Sequence, residues 1–444
     1  MSQNDLIHKI CDLVKDPRAL KDAEISEATA AFEDTLAVAY AGWHEPVTQA
    51  LLSVYRGGEV PLIDGTTTAL PETAAMIHAT AGHALDYDDV QLESVTHPSV
   101  VIVPALLALC DSGHGIPSRL ASAYAVGLAV NVAVGSTVDF SHYRSGWHAT
   151  STIGGIAGTA AAAHLLSLSE TETRRALAIA ASQAGGMQIQ FGTDVKPLHA
   201  GLAAAVSVRS VLMANAGMTA AMDLFAPRGF LDLYAPDRNR TAAPIAPEIN
   251  LITISRKLYP CCYASHRMIA AAVKVHGQTG GVPNGARIRM QVPDGLMTPL
   301  NVDIPETGLQ GKFSARYLVA TALLHGQVKL GDFYDTAVTR PDVRAVMENI
   351  DIEVDDPDPA APVGIGHGVV RLDLLQGNDV LAHAEARHYP GAPDSPATVE
   401  EMDAKITDCL QVYSLESKDG PDLAEFRQGL SERFKPTRAA IAVQ

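Results

Sequence analysis

Through roughly the first 250 residues, apolar positions recur at helical spacing. Asn4–Lys15, Glu24–Gly42, Glu72–Asp88, Val100–Asp111 and Pro117–Val138 each carry an apolar stripe or are apolar all round, and each predicts a helix. Ser169-Glu170-Thr171-Glu172 fits a capping box, in which serine and glutamate satisfy each other's backbone N–H groups, and opens a helix reaching about Gln183. Pro197 fits the first position of the next helix, where a missing N–H costs nothing, and His199–Ala216 carries that helix on. No segment of period two interrupts this region.

After Tyr259-Pro260 the period changes. Arg287–Val292, Ile350–Val354, Val370–Leu374 and Val380–Arg387 alternate polar with apolar residues and predict half-buried strands. Phe313–His325 and Asp342–Asn349 read as helices between them, and Asp355–Pro362 as a loop. The pattern predicts an antiparallel sheet with helices on one face. Helical spacing returns in Val399–Val412 and Leu423–Arg433. The expected architecture is therefore two-domain. A large all-α helical domain comprises residues 1–265 together with 397–444, and a smaller inserted α+β domain comprises residues 266–396. No internal repeat is visible.

Composition narrows the function. Among 444 residues, 33 basic against 50 acidic side chains leave a formal charge of −17. That balance excludes a general nucleic-acid binder and a protein held on an anionic membrane surface, both of which need a basic face. Leu120–Val138 is uncharged and near transmembrane length, yet polar and small residues dilute it. In the fifty residues from Leu120 to Ser169 only Asp139 and Arg144 are charged, as suits a helix packed on all sides. Met1–Lys15 alternates apolar with charged residues and lacks a signal peptide's apolar core. Five cysteines without a CxxC pair fit a reducing cytoplasm and offer no metal framework. Small molecules, or copies of the chain itself, are the expected partners.

Against this charge-poor background four ionisable clusters stand out. They are Asp86-Tyr87-Asp88-Asp89 with Thr96-His97-Pro98; His142-Tyr143-Arg144 through His148; Asp194-Val195-Lys196-Pro197-Leu198-His199; and Lys257-Leu258-Tyr259-Pro260 with Ser265-His266-Arg267. Each has a bland reading. A histidine can satisfy a backbone carbonyl, Lys196 can be a solvated loop residue, and Arg144 can pair with Asp139. Carboxylates ending a helix oppose its macrodipole, so Asp86 needs a partner. His83, Asp86 and His97 match no closed ligand spacing, so no metal is expected. Gly154-Gly155-Ile156-Ala157-Gly158 lacks the strand and lysine of a phosphate loop, and no serine sits in a nucleophile elbow. Proton transfer without a cofactor remains, because histidine, lysine and carboxylate at loop–helix junctions are the groups that move protons.

Three blocks carry a resemblance. His83-Ala84-Leu85-Asp86-Tyr87-Asp88-Asp89 with Thr96-His97-Pro98-Ser99, Gly146-Trp147-His148, and Gly192-Thr193-Asp194-Val195-Lys196-Pro197-Leu198-His199-Ala200-Gly201 closely resemble the MmgE/PrpD family. That family contains 2-methylcitrate dehydratase, cis-aconitate decarboxylase and iminodisuccinate epimerase. The resemblance implies a helical domain built from both chain ends, an inserted lid domain, a homodimer, and catalysis in the cleft between domains without metal or organic cofactor. The matching functional positions are Asp86, His97, His148, Lys196 and His266.

This sequence also departs from the lyase members. Val90 and Ala149 stand where those members have threonine and proline, and the path from Asp86 to His97 is one residue longer. Iminodisuccinate epimerisation is therefore the activity expected from the resemblance, with a family lyase acting on a tricarboxylate as the alternative. Either reaction handles a proton on carbon next to a carboxylate, so cations and hydrogen-bond donors must stabilise the developing charge. Lys196 is the expected base, its ammonium made more acidic by neighbouring cations; Tyr143, His148 and His266 compete for the opposite face. Asp86 would orient a histidine rather than act as the base, and His97 adds to the cationic and donor groups, while Arg144, His199 and Arg267 would bind substrate carboxylates.

Overall fold

The computed structural model describes residues 3–356, 367–417 and 419–434. Nine helices fill the N-terminal half: α1 (Gln3–Lys15), α2 (Asp22–Ala41), α3 (Pro46–Val54), α4 (Pro71–Ala84), α5 (Ser99–Asp111), α6 (Leu120–Arg144), α7 (Ala149–Leu165), α8 (Glu170–Ala181) and α9 (Val195–Asn215). Four two-residue strands punctuate the loops: β1 (Val60–Pro61) pairs with β2 (Thr68–Ala69), and β3 (Val90–Gln91) with β4 (Ile254–Ser255). Beyond α10 (Phe230–Tyr234) come α11 (His266–Thr279), β5 (Arg287–Val292), α12 (Gly308–Gly311), α13 (Ala315–His325), α14 (Asp335–Val338), α15 (Pro341–Met347), β6 (Ile350–Val354), β7 (Val370–Gln376), β8 (Asp379–Ala386), α16 (Val399–Ser417) and α17 (Leu423–Arg433).

The local chemistry accounts for the ends. The capping box at Ser169 and Glu172 forms as the spacing predicts, and α11 and α13 stop at left-handed glycines, Gly280 and Gly326. Two boundaries move. Helix α4 ends at Ala84, four residues early, because Asp86 adopts φ 51° and cannot continue the helix. Helix α9 begins at Val195 rather than at Pro197, so proline is its third residue. First-turn N–H groups have no helical partner, and proline is tolerated there too.

Helices α4, α5, α7 and α9 form the centre of the helical half, with α4 packed along α9 and α7 between α6 and α9. Among the described residues two helical segments are long and apolar enough to cross a membrane, Pro117–Arg144 and Val195–Asn215, and both are mostly buried in this core. The membrane-like stretch of α6 is thus an interior helix, and it breaks at Asp139, φ 50°. From the C-terminal end, α16 returns to pack on α2.

The sheet runs in the order β6-β5-β7-β8. It is mixed, not antiparallel: β5 pairs with β6 in parallel, Ile288 opposite Ile350, while β7 and β8 are antiparallel. The chain between β5 and β6 is helical, and such a crossover returns a strand in the same direction. Ile288, Met290, Leu372, Leu374, Ala382 and Ala384 point to one face, which α11 covers; the alternate positions are exposed or half-buried. Most of the predicted Asp355–Pro362 loop lies outside the described residues.

Candidate active site

The end of α4 sets up the site. The carbonyls of Leu85, Asp86 and Tyr87 point away from the helix end, and three buried ammoniums receive them. Lys312 Nζ donates to Leu85 O, Lys257 Nζ to Asp86 O and Lys405 Nζ to Tyr87 O, each at 2.8 Å. Cations at a helix C-terminus are favoured by the macrodipole, and here they come from three distant parts of the chain. Lys257 also meets the Asp86 carboxylate at 2.6 Å, and Lys196 approaches the same oxygen at 3.2 Å. Burial opposes ionisation of Asp86, but the ammoniums of Lys196 and Lys257 outweigh it and hold the carboxyl well below the usual range.

Behind Asp86, the buried Asp88 carboxylate accepts from His83 Nδ1 at 2.8 Å and lies 3.2 Å from His97 Nδ1; His97 Nε2 is 3.8 Å from Asp86. The backbone N–H of His97 donates to Thr150 at the start of α7. Asn131 of α6 donates to Ser94 and Thr96, pinning the loop that carries His97. Gly135 permits this approach, since a Cβ there would lie 2.2 Å from Ser94 Cβ. Both Asp86 and Val95 combine positive φ with positions lining the cleft. For a β-branched residue such as Val95 that conformation is strained, and the packed loop sustains it.

Asp86, Val95, His97 and Lys196 line a narrow cleft. Asp86, His97, Tyr143, His148, Thr150 and Lys196 supply its polar wall from the helical half, and Cys262, Tyr263 and Phe313 face them from the C-terminal half. Lys196 Nζ lies 5.6 Å and 5.2 Å from the ring centres of Phe191 and Phe313 and, apart from its ion contact with Asp86, makes no hydrogen bond among the described residues. Burial pushes His97 down despite Asp88, and pushes His148 well below the ordinary imidazole range, with Lys196 adding to the effect. Both rings are thereby held in the neutral form. Burial drives Tyr143 well above the usual phenol range, so it retains its proton and can donate a hydrogen bond.

Five of the sequence-predicted residues meet here: Asp86, His97, Tyr143, His148 and Lys196. The other four do not line the cleft. His199 lies behind His148, with 3.1 Å between their Nδ1 atoms. His266 stacks on Tyr263 and touches Tyr259 and Tyr389 edge-on; burial, reinforced by Lys257, takes it down to about 3. Arg144 is exposed, over the Phe140 ring, and Arg267 donates to the carbonyls of His367 and Gly368. The cations near Asp86 are lysines, because the two arginines are committed elsewhere. Lys196 is also not surrounded by cations alone, since Asp86 lies against it.

Potential metal ligands do converge. Ligand atoms of His83, Asp86, Asp88 and His97 lie within 4.8 Å of one another, a grouping the sequence spacing conceals. Two ammoniums already contact Asp86 and two imidazoles already share Asp88, so the cluster's own cations compensate its charge.

The MmgE/PrpD N-terminal domain matches residues 9–242, and the MmgE/PrpD C-terminal domain matches residues 259–421. The chain belongs to the MmgE/PrpD family. Relatives are cis-aconitate decarboxylases: the human protein is 27% identical over 354 residues, covering 76% of this chain and 72% of that protein. The mouse protein is 30% identical over 305 residues, covering 64% of this chain and 61% of that protein. The Aspergillus terreus protein is 27% identical over 386 residues, covering 79% and 78%. Members of this family are enzymes, and the relatives named here are lyases rather than isomerases.

Sequence reasoning within the family resemblance missed the second sphere. Asp88 and His83 were in view as neighbours of Asp86, but nothing in their spacing shows that one carboxylate serves two imidazoles. Lys312 and Lys405 carried no signal, since neither lies in one of the four ionisable clusters and both are far along the chain from Asp86. Lys257 stood in a recognised cluster, and its adjacency to Asp86 emerges only from the fold.

Proposed function

We propose that this chain is a cofactor-independent lyase acting on a small polycarboxylate, of the cis-aconitate decarboxylase type. The observation that carries the proposal is the pairing of ammonium Lys196, exposed to the cleft beside Asp86, with neutral His97 and His148 on the same wall. An ammonium with unused donors binds a carboxylate, and the neutral imidazoles exchange protons with carbon. In a decarboxylation the C–C bond to one carboxylate breaks, CO2 leaves, and its electron pair stays on the carbon skeleton. An acid then protonates that skeleton. Lys196 and the Tyr143 hydroxyl stabilise the developing charge, one of these protonated groups gives its proton to the carbon, and His148 or His97 passes a replacement proton to it from solvent. The cis-aconitate decarboxylase relatives favour this reading.

One observation favours a second reading. Val90, which stands where the lyase members resemble one another in having threonine, lines the cleft and brings an apolar wall in place of a hydroxyl. Under that reading the enzyme is an epimerase of iminodisuccinate, removing the α-proton on one face and returning it on the other. The two reactions separate cleanly in one experiment. Purified enzyme is given cis-aconitate while CO2 release is followed, and single iminodisuccinate stereoisomers in heavy water while configuration and α-deuterium are followed. Catalytic CO2 release abolished in Lys196→Ala supports the lyase. Scrambling with α-deuterium and no CO2 overturns it in favour of the epimerase, and inertness toward both substrates overturns both readings. The cleft is expected to act within a homodimer, as the family resemblance implies.

A further inference from the structure

His148 caps the start of α7, His199 sits one turn inside α9, and their Nδ1 atoms are 3.1 Å apart. Only one hydrogen fits between two nitrogens at that distance, so one ring donates and the other accepts. His148 lines the catalytic cleft. His199 lines a different cavity of about 230 Å³, bounded by Ser151, Gln183, Gly186, Met187, Gln190 and Leu202. The two histidines therefore bridge two cavities through an otherwise packed helix pair. The dyad is locked in place: His148 N–H donates to Gly186 O at 3.0 Å, and Ser151 Oγ to His199 O at 3.2 Å. A Cβ on Gly186 would lie 3.0 Å from Ser151 Cβ and 3.4 Å from His199 Cγ, so only glycine, here at φ 114°, lets this loop close over the pair.

We propose that His148 and His199 form a proton relay that connects the catalytic cleft to the second cavity; the proposal rests on proton transfer at the cleft as inferred above. In the resting pair His148 carries Nδ1–H and leaves its Nε2 lone pair for the cleft, while His199 accepts at Nδ1 and carries Nε2–H. A proton taken up at His148 Nε2 makes it an imidazolium. Its Nδ1 proton passes to His199 Nδ1, and His199 releases its Nε2 proton into the second cavity. Both rings end neutral with their tautomers exchanged, and one proton has crossed. In the decarboxylation proposed above the steps run in reverse, from the second cavity to the carbanion in the cleft, and each ring exchanges its tautomer through solvent before the next turnover. The device allows a site filled by substrate to exchange protons with water on its far side. The ionisable neighbours are cationic or neutral: Lys196 beside both rings, and His83 and His97 beside His148. Among the described residues no carboxylate pairs with either imidazole of the dyad, as a relay requires.

His199→Asn tests the relay, because asparagine can keep a polar partner for His148 Nδ1 yet cannot pass a proton through. With the substrate that the wild type turns over, kcat is expected to fall about 100-fold with KM little changed, and the solvent isotope effect on kcat to rise. In His199→Ala, added imidazole should restore kcat in a saturable way by entering the second cavity. Full kcat in His199→Asn overturns the relay. So does a loss in both variants with an unchanged isotope effect and no imidazole rescue, which would mark His199 as a support for His148 alone. Nitrogen-15 NMR of the resting wild type needs no substrate and tests the dyad even if the proposed reaction is wrong. One proton shared between the two Nδ1 atoms is expected, and two Nδ1–H groups or none would refute it.

Discussion

The buried pair Lys405–Asp34 offers a quantitative test of how the C-terminal helices support the site. Lys405 of α16 lies 2.6 Å from Asp34 of α2, and both side chains are 1% exposed. The same ammonium donates to Tyr87 O and sits 4.2 Å above the Tyr87 ring, one residue from Asp86. Lys405→Met keeps the side-chain volume but strands the Asp34 carboxylate away from water. Removing one partner of a buried pair costs about 4 kcal/mol. With an unfolding entropy of about 2.1 cal/mol/K per residue, a chain of this length should lose about 4 °C of Tm. Replacing both partners, Lys405→Met with Asp34→Leu, removes the orphaned charge, and stability should return to within about 2 kcal/mol of wild type, the unpaired Tyr87 carbonyl accounting for the remainder. Urea unfolding of wild type, both single variants and the double variant closes the cycle and gives the coupling energy. If the single variants lose under 1 kcal/mol, or the double variant loses the sum of both, the pair does not act as a unit and the reasoning fails. Activity adds a second readout: with the Tyr87 carbonyl released, kcat in Lys405→Met should fall even below its unfolding transition, and should not return in the stable double variant.

Other expectations follow from the same geometry. Asp86→Asn removes the anion shared by Lys196 and Lys257, and kcat/KM should drop by about 1000-fold with circular dichroism unchanged; activity within tenfold of wild type would contradict the central role of that carboxylate. Burial lowers Lys312 from 10.5 to about 8, Glu45 only partly opposing it. Folded Lys312 thus binds fewer protons than unfolded Lys312 between pH 8 and 10.5, and its contribution makes stability rise with pH across that window. The rise should approach about 3 kcal/mol and be absent from Lys312→Met, as urea unfolding at stepped pH will show. Gly201→Ala would place a Cβ 2.6 Å from Met76 O across the α4–α9 contact, and should cost about 1–3 kcal/mol; an unchanged Tm would mean the two helices separate easily. Burial pushes the thiols of Cys261 and Cys262 up to about 12 and about 11. Iodoacetamide at pH 8 should leave both unmodified in the native protein, as mass spectrometry of the labelled chain would record.

How much the chain reveals before it folds differs from one element to the next. The capping box at Ser169, the apolar run of α6 and the alternation in β5, β7 and β8 are local chemistry, and they are legible because each element's period and ends are set by residues a few places apart. The site core was legible as well, because Asp86, His97, His148 and Lys196 lie in polar islands within a charge-poor sequence. The parallel pairing of β5 with β6 was not, since strand direction depends on the crossover between them. Neither was the fate of Arg144 and Arg267. A cation in a cluster looks the same on paper whether it faces substrate, solvent or a pair of backbone carbonyls. Most of all, the end of α4 was read only as a place where carboxylates oppose the helix dipole and need a partner. Tertiary structure supplies three partners, Lys257, Lys312 and Lys405, from 171, 227 and 318 residues along the chain. Local pattern can show that a helix end is electrostatically unsatisfied. Only the packing of distant segments decides which charges arrive, because Coulomb energy depends on distance in space and is indifferent to distance in sequence.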